Sequence, residues 1–143
     1  MEEAAAVTRV CLDTTVLSDA IREKPDAMRA LFDLERRVET LVTASHNIFE
    51  AAVGALRLGP TAKGIQIFAK LRRLIDTVEV LPFDLDAALD AARTSAVLHE
   101  KGRAAPMMDL LTAASARKGG CTAILTRNVD DFRRIGALEI LGY

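Results

Sequence analysis

The sequence predicts an α/β protein with three layers, a central parallel sheet covered by helices on both faces. Three observations carry that prediction. Short runs rich in β-branched residues alternate along the chain with longer stretches whose apolar residues recur at helical spacing. Half of the residues are apolar, but aromatics make up only 4% and Trp is absent, so Ala, Leu, Val and Ile must fill a core of helices laid on a sheet. Finally, 143 residues suit one domain, 1–143, and no internal repeat, low-complexity stretch or linker divides them.

Val7 to Leu12 reads as the first strand, ending at Asp13 and feeding a helix from Thr14 or Thr15 to about Arg22. Pro25-Asp26 opens a second helix, in which Met28, Leu31, Phe32, Leu34 and Val38 recur on one side. Leu41 to Ala44 is the second strand. The helix after it begins at Ser45 or His46 and reaches Leu58, where Gly59-Pro60 stops it. Thr61 to Asp76 is a further amphipathic helix, and Val78 to Phe83 a third strand. Asp84 is placed to cap the helix running to Glu100. Pro106 begins another, which extends to about Lys118 and ends at Gly119-Gly120. Thr122 to Leu125 is the fourth strand and Leu138 to Leu141 a fifth. In such a sheet the crossovers are right-handed, and ligands collect at the carboxyl ends of the strands.

The formal charge of −1 excludes a global basic field of the kind that coats DNA, but leaves room for an acidic pocket beside basic rims. Cys11 and Cys121 each lie in or beside an apolar run. They read as free buried thiols in a reducing compartment, with a disulfide the lesser alternative. Met1-Glu2-Glu3 is acidic where a signal peptide is basic, and no apolar run approaches bilayer length. The expected location is the cytoplasm, with no membrane partner.

The chemistry lies in the acids. Asp13 ends the first strand, where it either caps the following helix or faces the crevice of the sheet. Glu50 is the sole formally charged residue from Ala44 to Leu56, set among Ile48, Phe49, Ala51 and Val53. A carboxylate there is costly to bury unless it is paired or holds a metal; otherwise it belongs to an exposed stripe with Asn47 and Gly54. Asp109 stands between Met107-Met108 and Leu110-Leu111 in the first turn of its helix. The helix dipole favours a charge at that position, but apolar neighbours on both sides point to a site. Thr126 to Phe132 follows the fourth strand with a hydroxyl, an amide and two carboxylates; Asp130 alone reads as the polar start of a short helix.

Several carboxylates share a pocket only around a strong counter-charge. Mg²⁺ or Mn²⁺ is the economical choice, since both prefer oxygen ligands, whereas His46 and His99 are too few and too far apart for zinc and read as surface or capping residues. An acidic site of this kind suits phosphodiester cleavage. No Walker-type phosphate loop or Ser-His-Asp set competes with it.

Four segments carry a resemblance: Val10 to Ser18 (VCLDTTVLS), Ser45 to Ala51 (SHNIFEA), Pro106 to Ala114 (PMMDLLTAA) and Leu125 to Phe132 (LTRNVDDF). In this order and spacing the chain resembles the PIN-domain family, and more narrowly the VapC-type toxins of toxin–antitoxin pairs. The resemblance implies a PIN-like central parallel sheet, a Mg²⁺ or Mn²⁺ site, endoribonuclease activity on RNA, a cognate antitoxin that blocks it, and a homodimer. Apolar helical faces between Pro25 and Asp76 offer the dimer contact. Residue by residue, Asp13, Glu50 and Asp109 match the three family acids. Some members carry Asp where Asn128 stands, and others use the acid before Phe132, here Asp131. The fourth place therefore goes to Asp131, with Asn128 as a neutral ligand or a group behind the ligands and Thr14 and Thr126 as hydroxyl partners. Arg103 and Arg127 lie near these motifs, where either could hold an RNA phosphate or simply be solvated. Arg36-Arg37, Arg72-Arg73 and Arg133-Arg134 read as exposed faces or partner rims.

Three alternatives stand beside this reading. A phosphatase resembling the haloacid dehalogenases would use Asp13 as nucleophile, but needs a second Asp where Thr15 stands. A PIN-like module could bind without turnover. Lastly, the acids could be no more than caps and surface charges.

Overall fold

The computed structural model describes residues 8–37, 40–136 and 138–143. Val7, Val38 and the acidic Met1-Glu2-Glu3 terminus lie outside the described residues. In chain order the elements are β1 (Arg9–Leu12), α1 (Thr14–Ile21), α2 (Pro25–Glu35), β2 (Thr40–Ala44), α3 (Ser45–Leu56) and α4 (Ala62–Ile75). They continue with β3 (Glu79–Leu81), α5 (Leu85–Glu100), α6 (Met107–Lys118), β4 (Ala123–Leu125), α7 (Val129–Ile135) and β5 (Glu139–Leu141).

The strands lie in the order β3-β2-β1-β4-β5, and every pair is parallel. The chain thus builds outward from β1 through β2 to β3, then returns to lay β4 and β5 on the other side. This reversal makes β1 and β4 the topological switch point, where an open parallel sheet leaves a crevice beyond its carboxyl ends. Leu12 pairs with Leu125, so Asp13 and Thr126 emerge side by side at that crevice.

Alternation along the strands divides the core. Val10, Leu12, Leu41, Ala123 and Leu125 face one way, against Val16, Leu17, Ile21, Leu31, Ala51, Ile67 and Leu71 of α1 to α4. Cys11, Val42 and Ile124 face the other, against Ala113 and Ala116 of α6 and Phe132 of α7. Burying a side chain such as Leu17 or Phe132 is worth about 2 kcal/mol, and these two faces fix the three layers. Helix α5 packs on α6 through Ala87, Ala91 and Ala114, whose small side chains bring the two helices close. Both cysteines are buried and free, in accord with the thiol reading.

Asp84 caps its helix as expected, its side chain accepting from Ala87 N at 2.9 Å, and Thr61 stands just outside α4 as its cap rather than within it, accepting from Gly64 N at 3.1 Å. Gly120 follows α6 with φ at +73°, a left-handed conformation that glycine adopts without strain. The third strand is shorter than Val78 to Phe83. It pairs with β2 only from Val42 to Ala44, and β2 gives way to α3 at once, so Pro82 and Phe83 have no ladder partner. No described helix is long and apolar enough to cross a membrane.

Candidate functional site

Asp13 is both things its position allowed. It caps α1, accepting from Val16 N at 3.3 Å, and it is only 2% exposed at the switch point. Two hydroxyls also hold it: Thr15 donates to Oδ1 at 2.6 Å and Thr126 to Oδ2 at 2.7 Å. Each hydroxyl in turn accepts a backbone N–H from the loop after β4. Arg127 N donates to Thr15 at 3.0 Å, and Asn128 N to Thr126 at 2.9 Å. With their acceptor roles filled this way, both protons point at Asp13. Oδ1 takes two donors and Oδ2 one, which leaves accepting capacity on Oδ2. Burial raises the Asp13 carboxyl above its ordinary range, although the bonds from Thr15, Thr126 and Val16 pull against it.

Glu50 projects from α3 towards α1, where Thr14 Oγ1 lies 2.7 Å from its Oε1. Thr14 also lies 3.0 Å from Asn47 Oδ1, one turn earlier on α3. Asn47 is 1% exposed rather than part of a solvent stripe. Its Nδ2 donates to Leu12 O at 3.3 Å and Thr43 Oγ1 at 3.4 Å, and its Oδ1 meets Thr112 Oγ1 of α6 at 2.9 Å. His46 Nε2 lies 2.8 Å from the same Thr112 hydroxyl, and its ring meets Phe83 edge-on. His46 is therefore half-buried in a polar network, not a surface group. Burial lowers its pKa, with the Glu50 charge pulling the other way.

Asp109, in the first turn of α6, is half-buried, and its Oδ2 is a buried oxygen with no hydrogen-bond partner among the described residues. Its carboxyl is pushed up to about 7, first by burial and then by the charges of Asp13, Asp131 and Glu50 in that order. The four acids singled out in the sequence are thus coupled around Asp109. Asp131, in the first turn of α7, also lies 3.6 Å from Arg134. Asn128 occupies the N-cap position of α7, but its side chain makes no capping bond.

Arg127 Nη1 is held by both oxygens of Asp19, at 3.0 and 2.9 Å, while about half of the side chain stays exposed. Asp19 is 4% exposed and also accepts the Tyr143 hydroxyl at 2.7 Å, so α1 ties down both the loop after β4 and the end of the chain. Burial, with donation to Asp19, raises the Tyr143 pKa. Arg103 is exposed in the connection between α5 and α6, lining a cleft of about 340 Å³ with His99 and Leu110. Sequence reasoning passed over Asp19, although it stands between Leu17 and Ala20-Ile21 and shows the same signal that picked out Glu50. Asn47 shares a helix face with Glu50 at i, i+3 spacing, but its partner Thr112 has no local sign.

Among the described residues, no three acidic, His or Cys side chains close around one point as a finished cage. The donors nonetheless fit a hard cation. They are oxygens, they repel one another, and Asp109 Oδ2 is buried without a partner. Mg²⁺ in particular keeps several waters and takes only one or two carboxylates, so an open set of acids suits it better than a closed cage. A second aspartate is absent from the position a dehalogenase-like phosphatase requires. Thr15 stands there, and its proton is engaged by Asp13.

The model of the PIN domain matches residues 10–138. Over 130 residues the chain is 28% identical to the tRNA(fMet)-specific endonuclease VapC of Salmonella typhimurium, covering 90% of this chain and 93% of that protein. The fold is similar to that of a chain in the crystal structure of VapBC2 from Rickettsia felis bound to a promoter DNA fragment. The TM-score is 0.80 at 22% identity, over 95% of this chain and 99% of that one. A chain of VapBC-5 from Mycobacterium tuberculosis, a member of the VapBC family of toxin–antitoxin systems, is 30% identical, with a TM-score of 0.71 over 95% of this chain and 99% of that one. With a parallel sheet, a crevice at β1 and β4, and acids coupled around it, the chain belongs to the PIN-domain family, on its VapC-type toxin branch.

Proposed function

We propose that the protein is a divalent-cation-dependent endoribonuclease that hydrolyses RNA phosphodiester bonds at the site around Asp109. One observation carries this reading: a buried carboxylate oxygen on Asp109 without a partner among the described residues, with three further acids acting on it from the cap of α1, α3 and α7. Asp13, Glu50, Asp109 and Asp131 would hold Mg²⁺ or Mn²⁺, with Asn128 offering a neutral oxygen. Such a cation, when bound, supplies the charge that activates a water and offsets negative charge on the phosphate.

The chain's own contribution is orientation. Thr126, together with Thr15, keeps the Asp13 carboxylate turned with Oδ2 available, and Thr14 steadies Glu50. Asp109 must lose its proton to act as a ligand. Arg103 and the exposed part of Arg127 would contact the RNA backbone, which positions a strand without reading its sequence.

The protein is further proposed to act in the cytoplasm, to be silenced by a cognate antitoxin and to pair as a homodimer. Met28 and Phe32 on α2, with Leu56 and Ile65 on α3 and α4, leave large apolar side chains exposed for such partners.

Incubation of total RNA with the purified protein, with and without Mn²⁺, tests the reading against Asp13→Ala. Cleavage is expected only with Mn²⁺ and only in the wild type. Equal cleavage by the variant, or none by clean wild type freed of any antitoxin, would remove it; the latter result would leave an inactive binding module.

A further inference from the structure

We propose that Thr112 and Asn47 are positioning residues for the acidic site, because the Thr112 proton satisfies Asn47 and thereby releases the single proton of Thr14 for Glu50. The inference rests on the metal-site reading above and concerns residues outside its ligands.

Thr14 has one hydroxyl proton and two acceptors within reach, Glu50 Oε1 at 2.7 Å and Asn47 Oδ1 at 3.0 Å. It can serve only one of them. Asn47 Oδ1 lies in a side chain 1% exposed, so water cannot take over, and the hydroxyls of Thr14 and Thr112 are the donors within its reach among the described residues. If Thr14 serves Glu50, Thr112 must serve Asn47.

Thr112 has its own choices. Its oxygen lies 2.9 Å from Asn47 Oδ1, 3.0 Å from Met108 O and 2.8 Å from His46 Nε2. Met108 O is a carbonyl inside α6 with a helical N–H of its own to accept, so it needs Thr112 less. His46 fits the same arrangement when Nε2 carries the proton and donates to Thr112. The order of donation is then His46 to Thr112 to Asn47, with Thr14 left to Glu50. The shorter distance to Glu50, and the greater strength of a bond to a charged acceptor, favour this arrangement over its reverse.

Removing the Thr112 hydroxyl should reverse the choice at Thr14. A buried amide oxygen with no donor is costly, so Thr14 turns to Asn47 and Glu50 loses its orienting bond. The damage reaches the site although Thr112 touches none of the four acids in the bonds described.

The test is Mn²⁺ affinity of the cation-free protein by calorimetry, alongside thermal melting, for wild type, Thr112→Val, Thr14→Val, the double variant and Thr112→Ser. Thr112→Val is expected to weaken Mn²⁺ binding by roughly 10-fold, as outer-shell changes do, while Thr112→Ser restores it. The double variant should bind no more weakly than Thr14→Val alone, since both act through one hydrogen bond. Unchanged affinity in Thr112→Val, or simple additivity in the double variant, would overturn the relay while leaving the metal site intact. No Mn²⁺ binding by the wild type would overturn the metal reading and the relay with it. If Thr112→Val does not melt cooperatively, Thr112→Ala takes its place, since it removes the hydroxyl without forcing a methyl against Asn47.

Discussion

Asp13 and Asp109 carry the same functional group and act on each other electrostatically, yet the fold treats them in opposite ways. Asp13 receives Thr15, Thr126 and Val16 N, and the two hydroxyls are themselves oriented by the N–H groups of Arg127 and Asn128. Asp109 leaves a buried oxygen with no partner among the described residues, and the charges that act on it are those of other acids. Burial raises both carboxyls; hydrogen bonds then pull Asp13 back, whereas like charges add to the burial at Asp109 and bring it to about 7. The difference separates folding from function. Asp13 helps hold the switch point together, while Asp109 is a group for which the described structure provides no counterpart and a cation would.

Substitution should split the two most sharply in metal binding and stability. Asp109→Asn is expected to weaken Mn²⁺ binding by roughly 100-fold or more and to abolish RNA cleavage. Its cation-free melting temperature should hold or rise at pH 8, because a repulsive charge has gone. Asp13→Ala should lose cleavage equally, but it also leaves three donors without their acceptor at a buried position. A cost of about 2–3 kcal/mol follows, or roughly 5–10 °C in Tm. Calorimetric melting of the two variants side by side checks the contrast. Equal loss of stability in both would mean that Asp109 has a structural partner after all.

How far this contrast could be read from the sequence depends on the range of each interaction. The parallel sheet, its helices and the places of Asp13, Glu50 and Asp109 follow from local pattern, because strand ends and apolar helix faces are written in consecutive residues. The strand β3 came out shorter because its length depends on where β2 stops, a property of another segment. Asn47 reads as part of an exposed stripe, whereas it is buried and its amide oxygen meets Thr112, 65 residues away. Likewise the Arg127 that reads as a free cation beside the motif meets Asp19, 108 residues distant. Polar networks closed across the fold have no periodicity, so composition and spacing cannot reveal them.

The pH response sharpens the comparison further. An unfolded Asp titrates near 3.9, whereas folded Asp109 keeps its proton up to about 7. Between those values the folded protein binds more protons than the unfolded chain, so cation-free stability is greatest below about 4 in this respect and falls as pH rises through 7. Solvent screening at this half-buried group holds the effect to about 1 kcal/mol, a few degrees in Tm. Asp109→Asn should flatten that slope. Cation binding runs the opposite way, since the ligand must be deprotonated, so Mn²⁺ affinity should climb towards pH 7 and level off above it. Thermal melts and Mn²⁺ titrations from pH 5 to 8 check both signs.

The smallest effect is expected furthest from the acids. Tyr143 donates to Asp19 at 2.7 Å, and Asp19 in turn holds Arg127 at the start of the loop that feeds Thr15 and Thr126. Tyr143→Phe removes one donor from a carboxylate that retains Arg127 and the nearby Lys24 amine at 3.6 Å. A loss of about 1 kcal/mol is therefore expected. Cleavage should stay within about twofold, because the N–H groups of Arg127 and Asn128 still face their hydroxyls and leave the Asp13 hydrogen bonds undisturbed. Melting curves and total-RNA cleavage by this one variant suffice to check it. A tenfold fall in cleavage at unchanged Tm would show that the chain's end steers Asp13 itself, and the boundary between the supported half of the site and its unsupported half would have to be drawn through Asp19.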